Sequence, residues 1–200
     1  MSGGAYKFSP SVTRCDHEAS GGHRGLILWY TGLSGSGKST LANAVARALH
    51  DQGVRTFILD GDNLRNGLNS DLGFSKDGRE ENIRRVQEVA RLFLECGVVV
   101  SACLISPFQA ARDRLRQSVP AGDYVEIYCR ASIEQCESRD TKGLYARARA
   151  GQVQDFTGIS SPYEPPANAE LVVDTGEITV QQAVGQVLEY LGGRGIGRAI

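Results

Sequence analysis

The chain has 200 residues, of which 41% are hydrophobic and 22% are charged, and its formal net charge at pH 7 is −1. This length suits one domain with a sizeable core, and the near-neutral charge argues against nucleic acid or an anionic membrane surface as the main partner. No apolar run approaches the roughly 18 residues of a membrane-spanning helix. Five cysteines without a Cys-x-x-Cys pair, and no secretory signal, favour a reducing, cytoplasmic compartment.

The chain begins with a segment, 1–25, that is rich in glycine and serine and shows no clear period, so we expect a flexible N-terminal arm. Residues 26–31 form a continuous apolar run, typical of a parallel strand covered on both faces. Apolar side chains recur at helical spacing over 38–51, and Gly53 ends that helix. The first structural unit is therefore predicted to be a strand, a loop and a helix.

Apolar runs and helical patterns alternate through the rest of the chain. Further strands are predicted at 56–59, 98–105, 124–129 and 171–173, and helices at 81–95, 110–117, 133–139 and 180–191. Such alternation implies right-handed crossovers. We therefore predict an α/β fold over 26–192, with a doubly wound, mainly parallel, five-stranded sheet flanked by helices. The polar segment 140–166, with a short helix near 145–149, is predicted to be a lid, and 193–200 a flexible tail.

The loop after the first strand matches the phosphate-binding pattern Gly-x-x-x-x-Gly-Lys-Ser/Thr. Its glycines let backbone N–H groups converge on phosphate oxygens at a helix N-terminus, and Lys38 adds a full positive charge for the β and γ phosphates. Ser39 is the expected Mg²⁺ ligand. The residues predicted to bind a nucleoside triphosphate are Gly32, Leu33, Ser34, Gly35, Ser36, Gly37, Lys38, Ser39 and Thr40.

Two aspartates are candidates for the acidic groups of the site. Asp60 and Asp62 follow the predicted strand 56–59, at the sheet edge where doubly wound folds bind ligands, whereas the strand that ends before Ser106 carries no acid. Asp62 is the candidate for accepting the proton of the attacking hydroxyl, and Asp60 for the Mg²⁺ site or for organising the loop. Capping of a short helix at 63–68 would also explain Asp62.

Six longer motifs follow one another along the chain: Asp60-Gly-Asp-Asn-Leu-Arg-Asn-Gly-Leu-Asn, Asp71-Leu-Gly-Phe-Ser, Arg79-Glu-Glu-Asn-Ile-Arg-Arg, Leu104-Ile-Ser-Pro, Arg139-Asp-Thr-Lys-Gly-Leu-Tyr and Asp155-Phe-Thr-Gly-Ile. In their order and spacing the chain resembles the adenylylsulfate kinase family over about residues 25–191. The resemblance implies a P-loop kinase that uses ATP and Mg²⁺ to phosphorylate adenosine 5′-phosphosulfate (APS) at its ribose 3′-hydroxyl, for sulfate assimilation. It also implies a homodimer and functional coupling to an ATP sulfurylase.

The resemblance assigns a second group of residues to APS. Arg65 and Arg79 fit the phosphosulfate, because guanidinium groups pair with its oxygens, and Asn82 lies on the same helix face as Arg79. Without the resemblance, a solvated helix surface would be the simpler interpretation. Phe74 and Phe156 correspond to rings that clamp the adenine. The other residues assigned to APS are Ile105 and Ser106 at a strand end, and Lys142 and Leu144 on the lid. Arg139, at the start of the lid motif, is expected at ATP, where it could stabilise the charge of the transferred phosphate or stack on the base.

Ser106 matches a family serine that has been described as a phosphorylated intermediate. Direct attack by the ribose hydroxyl is sufficient once two nucleotides are aligned, and a serine at a strand end can simply hydrogen-bond the ligand or the backbone. We keep Ser106, with Asp62 and Lys38, as a candidate catalytic residue. Two alternative functions stay open: a related kinase for another hydroxyl substrate, and a regulatory nucleotide-binding partner of a sulfurylase with weak turnover.

Overall fold

The computed structural model describes residues 9–197. Its strands are β1 (Leu26–Thr31), β2 (Thr56–Asp60), β3 (Val99–Cys103), β4 (Tyr124–Cys129) and β5 (Leu171–Val173). They form one sheet in the order β2-β3-β1-β4-β5, and all neighbours are parallel. The chain moves from the central β1 first to one side of the sheet and then to the other, which confirms the predicted doubly wound fold.

The helices are α1 (Arg14–Gly21), α2 (Lys38–Asp51), α3 (Gly61–Arg65), α4 (Lys76–Glu95), α5 (Gln109–Ser118), α6 (Ile133–Arg139), α7 (Leu144–Arg149) and α8 (Val180–Gly192). Successive side chains of β1 pack against opposite helix layers. Leu26, Leu28 and Tyr30 join a core with α2 and α8, whereas Ile27 and Trp29 join a core with α4 and α5. Burial on both faces explains why this strand is apolar throughout.

The predicted bounds are confirmed for β1, α2, β4, α6 and β5. The largest shift is in α4, which begins at Lys76 in place of the predicted 81, because the Ser75 hydroxyl accepts a hydrogen bond from Gly78 N at 3.2 Å and caps the helix earlier. The strand predicted at 98–105 is shorter, because β3 ends at Cys103. Among residues 9–197, no helix has the length and apolar character needed to cross a membrane.

The N-terminal arm predicted from the sequence contains a helix, α1, which the pattern missed. Thr13 caps it, and the Thr13 and Asp16 side chains form a reciprocal capping box. Arg14 pairs with Asp123, whose side chain is only 5% exposed. None of the residues in α1 is buried, so the helix has no apolar period that could reveal it. In the predicted tail, Ile196 is buried in the core, and residues 1–8 and 198–200 lie outside the described residues.

Candidate active site

A cavity of about 1330 Å³ opens beside the phosphate loop, at the carboxyl edge of the sheet. Its walls come from the loop and α2, from the residues after β2 and β3, from the start of α4 and from the segment 139–157. Every candidate site residue lines it except Gly32, Leu33 and Ser36. Residues that are far apart in the sequence, and that were assigned to two different nucleotides, therefore share one cavity.

The phosphate loop has the backbone that its glycines predict. Gly35 and Gly37 have φ angles of 76° and 85°, in the left-handed region, and Gly37 caps α2 without a side-chain hydrogen bond, so backbone N–H groups of the first turn stay available to an anion. Lys38 folds back over the loop, and its Nζ donates to Gly32 O at 2.9 Å and to Leu33 O at 2.7 Å. Burial lowers the pKa of Lys38, and the loop carbonyls orient its ammonium group.

The two candidate aspartates have different environments. Asp60 accepts a hydrogen bond from the Ser39 hydroxyl at 2.6 Å, and its other carboxylate oxygen accepts from the backbone N–H groups of Asp62 and Asn63 at 3.0 and 3.4 Å. Asp60 is therefore the N-cap of α3. The idea that Asp62 caps a helix at 63–68 was wrong, because α3 begins at Gly61 and Asp62 lies in its first turn.

The Asp62 carboxylate forms an ion pair with Lys142, which lies on the predicted lid 80 residues further along the chain. The two side chains are 66% and 55% exposed, and both line the cavity. An ion pair this exposed contributes little stability. Asp62, the candidate base, is thus positioned at the cavity wall by a weak ion pair that a ligand can replace.

Arg65 and Arg79 form a cationic wall of the cavity. Arg65 donates to Leu72 O and Gly73 O, each at 3.2 Å, and lies over the Phe74 ring at 4.2 Å from its centroid. Arg79 also donates to main-chain oxygens, and within the described part of the chain neither guanidinium pairs with a carboxylate. Partial burial, followed by the positive charge of Arg79, lowers the pKa of Arg65. Two neighbouring cations, neither with a carboxylate ion-pair partner in the described residues, favour an anionic ligand.

The two phenylalanines that the resemblance assigns to the adenine differ in exposure. Phe156 is only 8% exposed and packs edge-on against Tyr145, with ring centroids 5.0 Å apart. Phe74 is 65% exposed. Asn82 is buried at the cavity floor, where its Oδ1 accepts from Asn69 Nδ2 at 2.9 Å. The cavity therefore has one ring held by packing, and another that is exposed beside Arg65.

Ser106 lies in a tightly held turn after β3. Its φ angle is 40°, in the left-handed region that a residue with a side chain rarely adopts. Its hydroxyl accepts from Trp29 Nε1 at 3.0 Å and donates to Thr31 Oγ1 at 3.0 Å. The side chain is buried, and its only proton is already used within the protein.

Arg139 connects the lid to the phosphate loop. Its guanidinium donates to Thr175 O at 2.7 Å and to Gly35 O at 3.4 Å, and Thr175 Oγ1 donates to Ser36 O at 2.7 Å. Thr175, which follows β5 and lines the cavity, was missed from the sequence. Its position at the carboxyl end of a parallel strand was the signal that could have identified it.

This constellation defines the class of protein. A phosphate loop after the first strand of a doubly wound sheet, with an acid and a cationic wall facing it across one cavity, is the arrangement of a P-loop kinase, which aligns a nucleoside triphosphate with a second substrate.

The comparisons with known proteins identify the family. A family model described as adenylylsulphate kinase matches residues 24–174. An adenylyl-sulfate kinase from Acaryochloris marina is 56% identical over 186 residues, which are 93% of this chain and 91% of the relative. The structure of the Mycobacterium tuberculosis APS kinase CysC in complex with AMPPNP and APS has a TM-score of 0.78 and 44% identity, covering 84% of this chain and 98% of that one. The chain belongs to the adenylylsulphate kinase family, and the resemblance seen in its motifs is confirmed.

Proposed function

We propose that the protein transfers the γ-phosphoryl group of ATP to the ribose 3′-hydroxyl of APS, giving 3′-phosphoadenylyl sulfate and ADP. The observation that carries this proposal is the shared cavity, in which the phosphate loop faces Arg65 and Arg79. Two anionic nucleotides can then lie with the acceptor hydroxyl near the γ phosphate. Relatives named adenylyl-sulfate kinase, and a related kinase that binds AMPPNP and APS, support the same pair of substrates.

The reaction forms a bond from the ribose 3′-oxygen to phosphorus and breaks the bond from phosphorus to the β,γ-bridging oxygen. Asp62 is the proposed acceptor of the hydroxyl proton, since its carboxylate lines the cavity and has no capping role. Lys38 and the loop N–H groups offset the charge on the transferred and leaving phosphates. When APS binds, its phosphosulfate oxygens would accept hydrogen bonds from the Arg65 and Arg79 guanidinium groups in place of the main-chain oxygens.

The residues present fit Mg²⁺. Ser39 Oγ and Asp60 Oδ2 lie 2.6 Å apart at the cavity wall, and hydroxyl and carboxylate oxygens are ligands that Mg²⁺ accepts together with phosphates and water. We propose that these two side chains hold the ion directly or through water. There it would supply positive charge to the β and γ phosphate oxygens.

The segment 140–166 is proposed to close over both nucleotides. Some of its contacts with the body involve groups that the substrates would engage, namely Lys142 with Asp62, and Arg79 with Asp155 and Thr157. Closure would exclude water and limit ATP hydrolysis. The homodimer and the coupling to a sulfurylase stay predictions from the family.

The direct test is an assay of ADP release from ATP and Mg²⁺, with and without APS and with AMP as a control. We expect release that depends on APS, and phosphorus NMR of the product should place the new phosphate on the 3′-oxygen. Release stimulated only by another hydroxyl compound would favour a different kinase. No release with any acceptor, together with intact ATP binding, would favour the regulatory alternative.

Replacement of Arg79 by alanine is expected to raise KM for APS by about 10- to 150-fold, equivalent to about 1.5 to 3 kcal/mol for a lost charged hydrogen bond, with a smaller change in KM for ATP. Steady-state kinetics with each substrate varied in turn measure both effects. Arg84→Ala is the matched control, because Arg84 lies on the same helix, is exposed and pairs with Glu81. Equal KM values for APS in the two variants would mean that Arg79 is a surface residue that does not bind APS.

A further inference from the structure

A buried ion pair lies behind the cavity, outside the proposed reacting groups. Arg112 of α5 and Glu126 of β4 have side chains that are 0% and 1% exposed, and Arg112 Nε lies 2.6 Å from Glu126 Oε1. Burying two charges is costly unless their remaining polar atoms are also bonded. Glu126 Oε2 accepts from Arg116 at 3.0 Å, and the other Arg112 nitrogens bond elsewhere.

One of these bonds holds the strained turn. Arg112 Nη1 donates to Ser106 O at 2.6 Å, at the residue whose φ angle is 40°. A left-handed serine persists only where its surroundings impose it. Trp29 and Thr31 fix the Ser106 side chain, and Arg112 fixes its carbonyl. The turn 105–107, which lines the cavity, is therefore held from its core side.

The same guanidinium fixes the end of the predicted lid. Arg112 Nη2 donates to Glu164 O and to Gln109 Oε1, each at 2.7 Å. Glu164 N donates to Pro107 O at 2.8 Å, and Gln109 N donates to Glu164 Oε2 at 2.7 Å. A single planar group thus connects the cavity turn, the start of α5 and the end of the predicted lid. Lysine could not reproduce this set of bonds, because its side chain has one nitrogen whereas the guanidinium group has three.

We propose that Arg112, oriented by Glu126, is a positioning residue for phosphoryl transfer: it holds the turn 105–107 in the geometry that the acceptor requires. The inference rests on the proposed function, because the turn is assigned to APS. A displacement of about 1 Å at such a wall can cost about 100-fold in rate. The ion pair therefore serves the reaction although neither side chain faces the cavity.

The test compares Arg112→Lys with Arg116→Lys. Arg116 contacts Glu126 and Glu170 but not the turn or Glu164, so its variant loosens the same network on the side away from the cavity. We expect Arg112→Lys to lower kcat by about 10- to 100-fold with less than about a 2-fold change in the affinity for AMPPNP. Trp29 is the only tryptophan of the chain and donates to Ser106, so its near-UV circular dichroism should change in Arg112→Lys and not in Arg116→Lys.

Two outcomes would overturn the proposal. One is a folded Arg112→Lys protein with wild-type kcat and an unchanged Trp29 signal. The other is an equal loss of kcat in both variants, which would mean that the ion pair only stabilises the fold. If Arg112→Lys does not fold, Glu126→Gln takes its place with the same readouts, since it keeps the shape of Glu126 and the Arg112 side chain, and removes the charge that pairs with Arg112 and Arg116. A wild-type protein without APS-dependent turnover would defeat the proposed function alone. The Trp29 comparison would then still decide whether Arg112 holds the turn.

Discussion

Replacement of Lys38 by methionine is expected to lower kcat/KM for ATP by about 10³-fold or more. Lys38 carries the only charge in the phosphate loop 32–40. Its ammonium is already desolvated and aimed by two loop carbonyls, so it needs little reorganisation when charge develops on the transferred phosphoryl group. Methionine keeps an unbranched side chain of similar length and removes the charge. Initial rates at saturating APS, with ATP varied, measure the effect.

A matched control for this substitution is Lys76→Met, since Lys76 is exposed at the start of α4 and does not line the cavity. The control should keep wild-type kinetics. Lys38→Met also leaves Gly32 O and Leu33 O without a donor, at a cost of about 1 to 3 kcal/mol, so thermal unfolding must show that the variant is folded at the assay temperature. A folded Lys38→Met protein that keeps more than about a tenth of wild-type kcat/KM would contradict the proposed role.

The phosphate loop could be predicted from the sequence because its chemistry is local. Loop backbone, Lys38 and Ser39 lie within nine consecutive residues, and the flanking strand and helix each show a clear period. The rest of the site is assembled from separate segments. Asp62 and Lys142 are 80 residues apart in the chain, yet they are ion-paired in the fold. Spacing alone carries no information about such a contact: the position of Asp62 after a strand identified it as a candidate, but Lys142 was found only through the family resemblance.

Hydrogen bonds of single side chains explain the smaller errors. Whether Asp60 or Asp62 caps α3 depends on which carboxylate accepts the first N–H groups, and both residues suit a cap. The structure gives that role to Asp60, which leaves the Asp62 carboxylate without a capping role. The Arg112 network was missed for a similar reason, because a charged residue on α5 is expected to be solvated unless its partners on β4 and at the end of the lid are known.

The division of roles between the two aspartates leads to a prediction with a large effect: Asp62→Asn is expected to lower kcat by about 10²-fold or more while ATP binding stays measurable. Asparagine keeps the shape of the side chain but cannot accept the proton of the ribose hydroxyl. Because Asp62 does not cap α3 and is 66% exposed, its replacement should cost little stability. Single-turnover rates with ATP and APS, beside equilibrium binding of AMPPNP, separate chemistry from binding.

Asp62→Asn also removes the ion pair with Lys142, so the comparison needs Lys142→Met, which removes the same pair and keeps the carboxylate. If Asp62 is the base, its variant must lose more of the single-turnover rate than Lys142→Met, and the double variant should be close to Asp62→Asn alone. Equal losses in the two single variants would mean that the pair acts by holding the lid, and that the proton leaves the hydroxyl by another route. Asp60 would then be the next candidate for the base. Its carboxylate oxygens are bonded to Ser39 and to α3, so it could accept the proton only if one of those bonds broke when ATP binds.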